Sequence, residues 1–165
     1  MITITGSGLT LAEVEAVARD RVAVRLAAEA AGRVRASRAL LEDLLEGEAP
    51  VYGVNTGFGR LADVRIPRDE QRALQRNMVR SHAAGAGAPL PAEEVRAIMV
   101  LRANTLARGH SGCRLVVVER LLDLLNRGVS PVVPETGSVG ASGDLVPLAH
   151  VALALIGEGR VEVGG

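Results

Sequence analysis

The stretch Glu135-Thr136-Gly137-Ser138-Val139-Gly140-Ala141-Ser142-Gly143-Asp144-Leu145-Val146-Pro147-Leu148 constrains this chain more than any other. Three glycines with small residues between them occupy Gly137 to Gly143, directly ahead of an apolar run that reads as a helix. Glycine reaches backbone conformations and close approaches closed to other residues. The simplest reading is a helix entry, with Ser142 as N-cap and Asp144 in the first turn. Gly-rich backbone before a helix N-terminus also cradles phosphate. A Walker-type loop is excluded, because no Gly-x-x-x-x-Gly-Lys-Ser/Thr pattern occurs and the chain contains no lysine.

A third reading is chemical. The Gly143 nitrogen, with no side chain beside it, can fold back onto the Ala141 carbonyl carbon. Loss of water closes a five-membered ring, and loss of the Ser142 hydroxyl leaves an exocyclic methylene, a strong electrophile made from backbone. Ala-Ser-Gly alone is a weak signal, but its flanks are specific. Gly-Ser-Val-Gly-Ala-Ser-Gly-Asp-Leu-Val-Pro-Leu-Ala-His closely resembles the signature of the aromatic amino acid ammonia-lyases, which carry the 4-methylideneimidazol-5-one (MIO) group. Val51 to Gly59 and Asn77 to Gly85 resemble the same family in the same order.

The resemblance covers essentially the whole chain, which corresponds to the N-terminal third of such an enzyme. It implies a mainly α fold, with helices around a Gly-rich loop and short peripheral strands. It divides the chain into an N-terminal region, 1–108, and the start of the central helical region, 109–165. It also implies an MIO formed from Ala141-Ser142-Gly143, with Asp144 orienting the precursor backbone, and no metal or diffusible cofactor.

Val51-Tyr52-Gly53-Val54-Asn55-Thr56-Gly57-Phe58-Gly59 holds both aromatic residues of the chain. By itself it reads as a glycine-rich loop anchored by Tyr52. Under the resemblance it is the mobile inner loop, Tyr52 is the general base at the substrate's β-carbon, and Gly59 contacts the substrate. A tyrosine base requires a lowered pKa, which the positive ends of helices could supply. His82 ordinarily reads as a dipole-compensating residue at a helix C-terminus. Under the resemblance Ser81-His82 matches the pair with which histidine ammonia-lyases receive imidazole, whereas phenylalanine and tyrosine lyases present a more apolar or differently ordered pair.

The implied reaction is elimination of ammonia from L-histidine to give trans-urocanate. The implied partners are a small amino acid substrate and either a homo-oligomer, a tetramer in the family, or the remainder of the lyase chain. The family's carboxylate-binding arginine and its other partners fall beyond Gly165. Three alternatives stand beside this reading: another MIO lyase or aminomutase, an inactive N-terminal fragment of the family, and an unrelated Gly-rich nucleotide binder.

Composition narrows the rest. Nineteen basic residues, all arginine, balance nineteen acidic ones, so no net field favours nucleic acid or an anionic membrane. Hydrophobic residues make up 48% of the chain but aromatics only 1%, so the core is expected to be Leu, Val, Ala and Ile packed between helices. The lone Cys113 cannot form an internal disulfide or, by itself, a thiolate metal site, and reads as a small core residue. Met1 to Gly8 lacks a basic, apolar leader, and Val151 to Ile156 is too short to span a bilayer. A reduced, cytoplasmic setting is expected.

Along the chain, Ile2 to Thr5 favours strand, and Thr10 with Glu13 forms a capping-box pattern. A second helix is expected from Arg25 to Glu46, and another is opened by Pro67, with Arg68, Arg72, Arg76 and Arg80 forming a solvated or subunit-facing stripe. Pro91-Ala92-Glu93-Glu94 starts a helix to Arg108. Ser111 is expected to cap the next, from Arg114 to Asn126, with His110 in the junction. The latter helix and the one after Gly143 look apolar on most faces and therefore buried all round. His150 reads as a satisfied core histidine, and Arg160 to Val163 as one strand of a hairpin.

Overall fold

A computed structural model describes residues 1–47, 49–141 and 143–164. Ser142, expected as helix cap or cofactor precursor, lies outside the described residues. The elements run β1 (Ile2–Ile4), α1 (Leu11–Ala18), β2 (Val24–Leu26), α2 (Ala28–Glu46), α3 (Gln71–His82), β3 (Ala86–Pro89), α4 (Ala92–Ala107), α5 (Leu115–Asn126), β4 (Val129–Pro131), β5 (Pro134–Thr136), β6 (Val139–Gly140), β7 (Gly143–Asp144), α6 (Val146–Leu155) and β8 (Val161–Val163). Helices supply the mass, and the strands form two-stranded pairs at the edges: β1 parallel to β2, and β3–β5, β4–β8 and β6–β7 antiparallel.

The core forms around α4, whose Val95, Met99, Val100, Ala103, Leu106 and Ala107 are buried. Val17 of α1, Val34 of α2 and Val118, Leu121, Leu122 and Leu125 of α5 close over it. No aromatic ring takes part, as the composition requires. Arg96, on the buried face of α4, is only 2% exposed. It donates to the Val17, Ala18 and Leu125 carbonyls at 2.8 to 3.2 Å, so one guanidinium satisfies the C-terminal ends of α1 and α5 together. A cation there also complements both helix dipoles.

The Thr10 capping box forms in full, and α4 begins directly after Pro91 with Glu93 and Glu94 in its first turn. Several expected boundaries move. The second helix starts at Ala28, because Val24–Leu26 is drawn into a strand beside Ile2–Ile4. Pro67 to Glu70 form a turn ahead of α3, with the Glu70 and Gln71 amides both bonded to the Pro67 carbonyl. Ser111 does not cap α5: Arg114 is its N-cap residue and gives no side-chain cap, while the preceding Gly112 amide is held by Ser37 Oγ at 3.0 Å.

The helix α5 is also less apolar in place than its sequence suggests. Val118, Leu121, Leu122 and Leu125 form one buried stripe, while Glu119, Arg120 and Asp123 stay on the outer side, and Val116 is exposed. The strand expected in a terminal hairpin, β8, instead pairs with β4, from which α6 separates it in sequence.

Candidate active site

Three segments carry the expected site residues, and α3 connects them. The loop Val51–Gly59 is built on two buried polar residues rather than on its tyrosine. Asn55 accepts from the Val51 amide at 2.7 Å and donates to the Ala49 carbonyl at 2.9 Å. Thr56 Oγ1 accepts from the Gly53 amide and donates to the Gly57 carbonyl. Further backbone bonds, Gly57 N–H to Val64 and Ile66 N–H to Asn55, close the loop on 64–66. Gln75 of α3 reaches the Gly53 carbonyl at 3.0 Å and ties the loop to the helix. Tyr52 itself is 65% exposed and touches Phe58 edge-to-face, with ring centroids 5.7 Å apart. Gly59 is exposed at φ 56, a conformation that favours glycine.

Ser81 and His82 close α3. The His82 Nδ1 lies 2.9 Å from the Met78 carbonyl and 3.1 Å from Ser81 Oγ. A carbonyl only accepts, so in the neutral imidazole Nδ1 carries the hydrogen and Nε2 has its lone pair free for a ligand N–H. Ser81 Oγ in turn donates to the same Met78 carbonyl at 3.0 Å. The pair and the last helical turn thus fix one tautomer.

The glycine-rich stretch folds as the hairpin β6–β7, with Gly140 opposite Gly143 and Val139 opposite Asp144. Gly143 has φ 89, a conformation that L side chains rarely adopt. Open space surrounds the α-carbons of Gly140 and Gly143. Asp144 stands at the foot of the hairpin, opposite Val139. Its carboxylate lies against Gly137, where any added Cβ would collide with it, and Oδ1 accepts from the Val146 amide at 3.2 Å.

One expectation changes here. Asp144 belongs to β7, and α6 starts at Val146. Its first-turn donors are already reduced, because Val146 N–H is taken by Asp144 and Pro147 has none. The helix entrance is therefore a poor source of amides for negative charge.

The second and third segments are joined at Gly85. Its amide donates to Nε2 of half-buried His150 on α6 at 3.2 Å, so His150 is the satisfied histidine expected. Strand β3 then pairs with β5, just upstream of the hairpin, and the Ala88 amide reaches Glu135 Oε1 at 3.3 Å. Among the described residues, no hydrogen bond links Tyr52 to His82 or to the hairpin. Tyr52, Ser81, Ala141, Gly143 and Asp144 are all exposed. Among the described residues, no cluster of His, Cys, Asp and Glu could hold a metal ion, and no helix is long and apolar enough to cross a membrane. Asn55, Thr56 and Gln75 were not singled out by sequence reasoning; the glycines around Asn55-Thr56 are its only local signal.

Comparison with known proteins bears on the family and the fold. The family profile described as aromatic amino acid lyase matches residues 9–165. A histidine ammonia-lyase of Myxococcus xanthus is 57% identical over 159 residues, covering 96% of this chain and 31% of the relative. A tyrosine aminomutase structure from Streptomyces globisporus superposes with a TM-score of 0.93 at 43% identity, covering 99% of this chain and 31% of that one. The histidine ammonia-lyase structure from Trypanosoma cruzi gives 0.89 at 38% identity, with the same coverage. The chain thus spans about a third of the length of these relatives. The chain belongs to the aromatic amino acid lyase family.

Proposed function

We propose that the protein carrying this chain eliminates ammonia from L-histidine to give trans-urocanate, with an MIO electrophile formed from Ala141-Ser142-Gly143. The observation that carries the choice of histidine is the fixed tautomer of His82, whose Nε2 is an acceptor suited to an imidazole N–H. Ser81 serves by holding that tautomer. The relatives named histidine ammonia-lyase support the same substrate.

Two obstacles define the reaction: ammonia leaves poorly, and the β-proton is hardly acidic. The MIO, when formed, supplies an electron sink for the first. Tyr52 takes the β-proton, in the role of general base. Gly59, without a side chain on the same loop, leaves room for substrate beside it. Asp144, seated against Gly137, holds the turn in the shape from which the ring closes.

The exposure of these residues suits a site completed by more polypeptide, either the remainder of a lyase chain or further copies in a tetramer. A small amino acid is the ligand; a balanced net charge offers nucleic acid nothing. A cytoplasmic setting fits the function.

A second reading, an aminomutase that returns the amine to the β-carbon, is favoured by the match to tyrosine aminomutase. Product analysis separates the two. The complete enzyme should lack the mass of two waters, absorb in the near ultraviolet and release urocanate from histidine, and Ser142→Ala should abolish all three. An unmodified mass in folded, complete enzyme refutes the MIO reading, and a β-amino acid product replaces the lyase with the mutase.

A further inference from the structure

Gly85 is the point at which three elements meet. It follows His82 by three residues, and its amide is held by His150 Nε2 on α6, at 3.2 Å. A Cβ at Gly85 would lie 3.0 Å from both Pro134, which opens β5, and Val146, which opens α6. One residue is therefore clamped to the chain on both sides of the Gly-rich hairpin. The hydrogen bond requires the neutral imidazole with its proton on Nδ1, because only an unprotonated Nε2 accepts. Partial burial lowers the His150 pKa and favours that neutral form.

We infer that His150 is a positioning residue: by holding the Gly85 amide, it fixes the spacing between the Ser81-His82 pair and the β6–β7 hairpin. This rests on the lyase reading above, since spacing matters only if the substrate bridges those two segments. Imidazole held by His82 must present its amine and β-carbon to the hairpin. A small misplacement of one end relative to the other lowers turnover steeply. His150 touches neither end and acts through the backbone between them.

The test uses the complete lyase polypeptide and three substitutions. His150→Leu removes the acceptor. His150→Asn stays polar, but its oxygen stands at the Nδ1 position and falls short of Gly85. His150→Gln restores an acceptor, because Oε1 is as many bonds from Cβ as Nε2. For histidine, kcat/KM should fall by about 10- to 100-fold in the Leu and Asn variants, with the near-ultraviolet absorbance of the cofactor retained. The Gln variant should recover most of the loss. Amide exchange at Gly85 should accelerate in the Leu and Asn variants but not in Gln.

Unchanged kinetics in Leu and Asn overturn the inference, as does equal impairment of all three variants. Should the Leu variant fail to fold, the Asn–Gln contrast decides alone. A wild-type protein with neither absorbance nor histidine turnover overturns the lyase reading and this inference with it. An active wild type with an indifferent His150 overturns only the inference.

Discussion

Arg80 grips both carboxylate oxygens of Glu158, at 2.8 and 2.7 Å, and ties the last turns of α3 to the chain just beyond α6. This is a second fastening between the helix that ends in Ser81-His82 and the helix that follows the hairpin. Pairing with Arg80 holds the Glu158 pKa below its ordinary 4.5. A depressed carboxylate contributes stability that is present above the unfolded pKa and lost as pH falls through the folded value. Thermal melts of Arg80→Gln should therefore converge with wild type below pH 4.5 and separate from it above. Salt should shrink the separation, since both partners are exposed.

Tyr52→Phe separates an anchor from a base. The ring and its edge-to-face contact with Phe58 are kept, so melting temperature should scarcely move. If the hydroxyl is the base, histidine turnover by the complete enzyme should fall about 100-fold or more, the scale of lost general base catalysis. Equal turnover leaves Tyr52 as an anchor only.

His82→Leu tests the substrate. The variant loses the Nε2 acceptor but keeps an apolar side chain at the end of α3. The Michaelis constant for histidine should rise well beyond any change in folding, because a polar imidazole loses its partner. Weak activity gained on phenylalanine or tyrosine supports the assignment, and unchanged histidine kinetics refute it.

Arg96→Met should be more harmful than any change on the exposed Arg68–Arg80 stripe. Methionine keeps a long unbranched side chain on the buried face of α4 but leaves the Val17, Ala18 and Leu125 carbonyls without their donor. Unsatisfied buried groups of this kind cost roughly 1–3 kcal/mol each. Chemical denaturation should show the loss as a shifted midpoint with little change in slope.

The features legible in the sequence were those decided by neighbouring residues. Thr10 with Glu13, and Pro91 with Glu93 and Glu94, are local signals and act where they stand. The features that escaped depend on distant partners. Arg25 and Leu26 looked like the start of a helix, because the partners that make Val24–Leu26 a strand, Ile2–Ile4 and Asn126, lie far away in sequence. Arg96 has no local signal in the sequence, because its partners are two helix ends far from it along the chain.

The candidate site divides the same way. The three motifs were readable as motifs, and Asp144 was read as a charge in the first turn of the following helix. Its pairing opposite Val139 in the hairpin draws it into β7 instead, and α6 starts two residues later, at Val146. The Gly85–His150 joint spans 65 positions and has no sequence signature of its own.

The Asn126 carboxamide bonds both backbone groups of Val24, accepting from its N–H at 2.8 Å and donating to its carbonyl at 2.9 Å. A side chain thereby stands in for the next strand on the open side of β2. Sheet edges with free amide groups recruit strands from other molecules. Here the last residue of α5 occupies that docking position at Val24, so the small β1–β2 sheet is shielded there from growing by addition of a foreign chain.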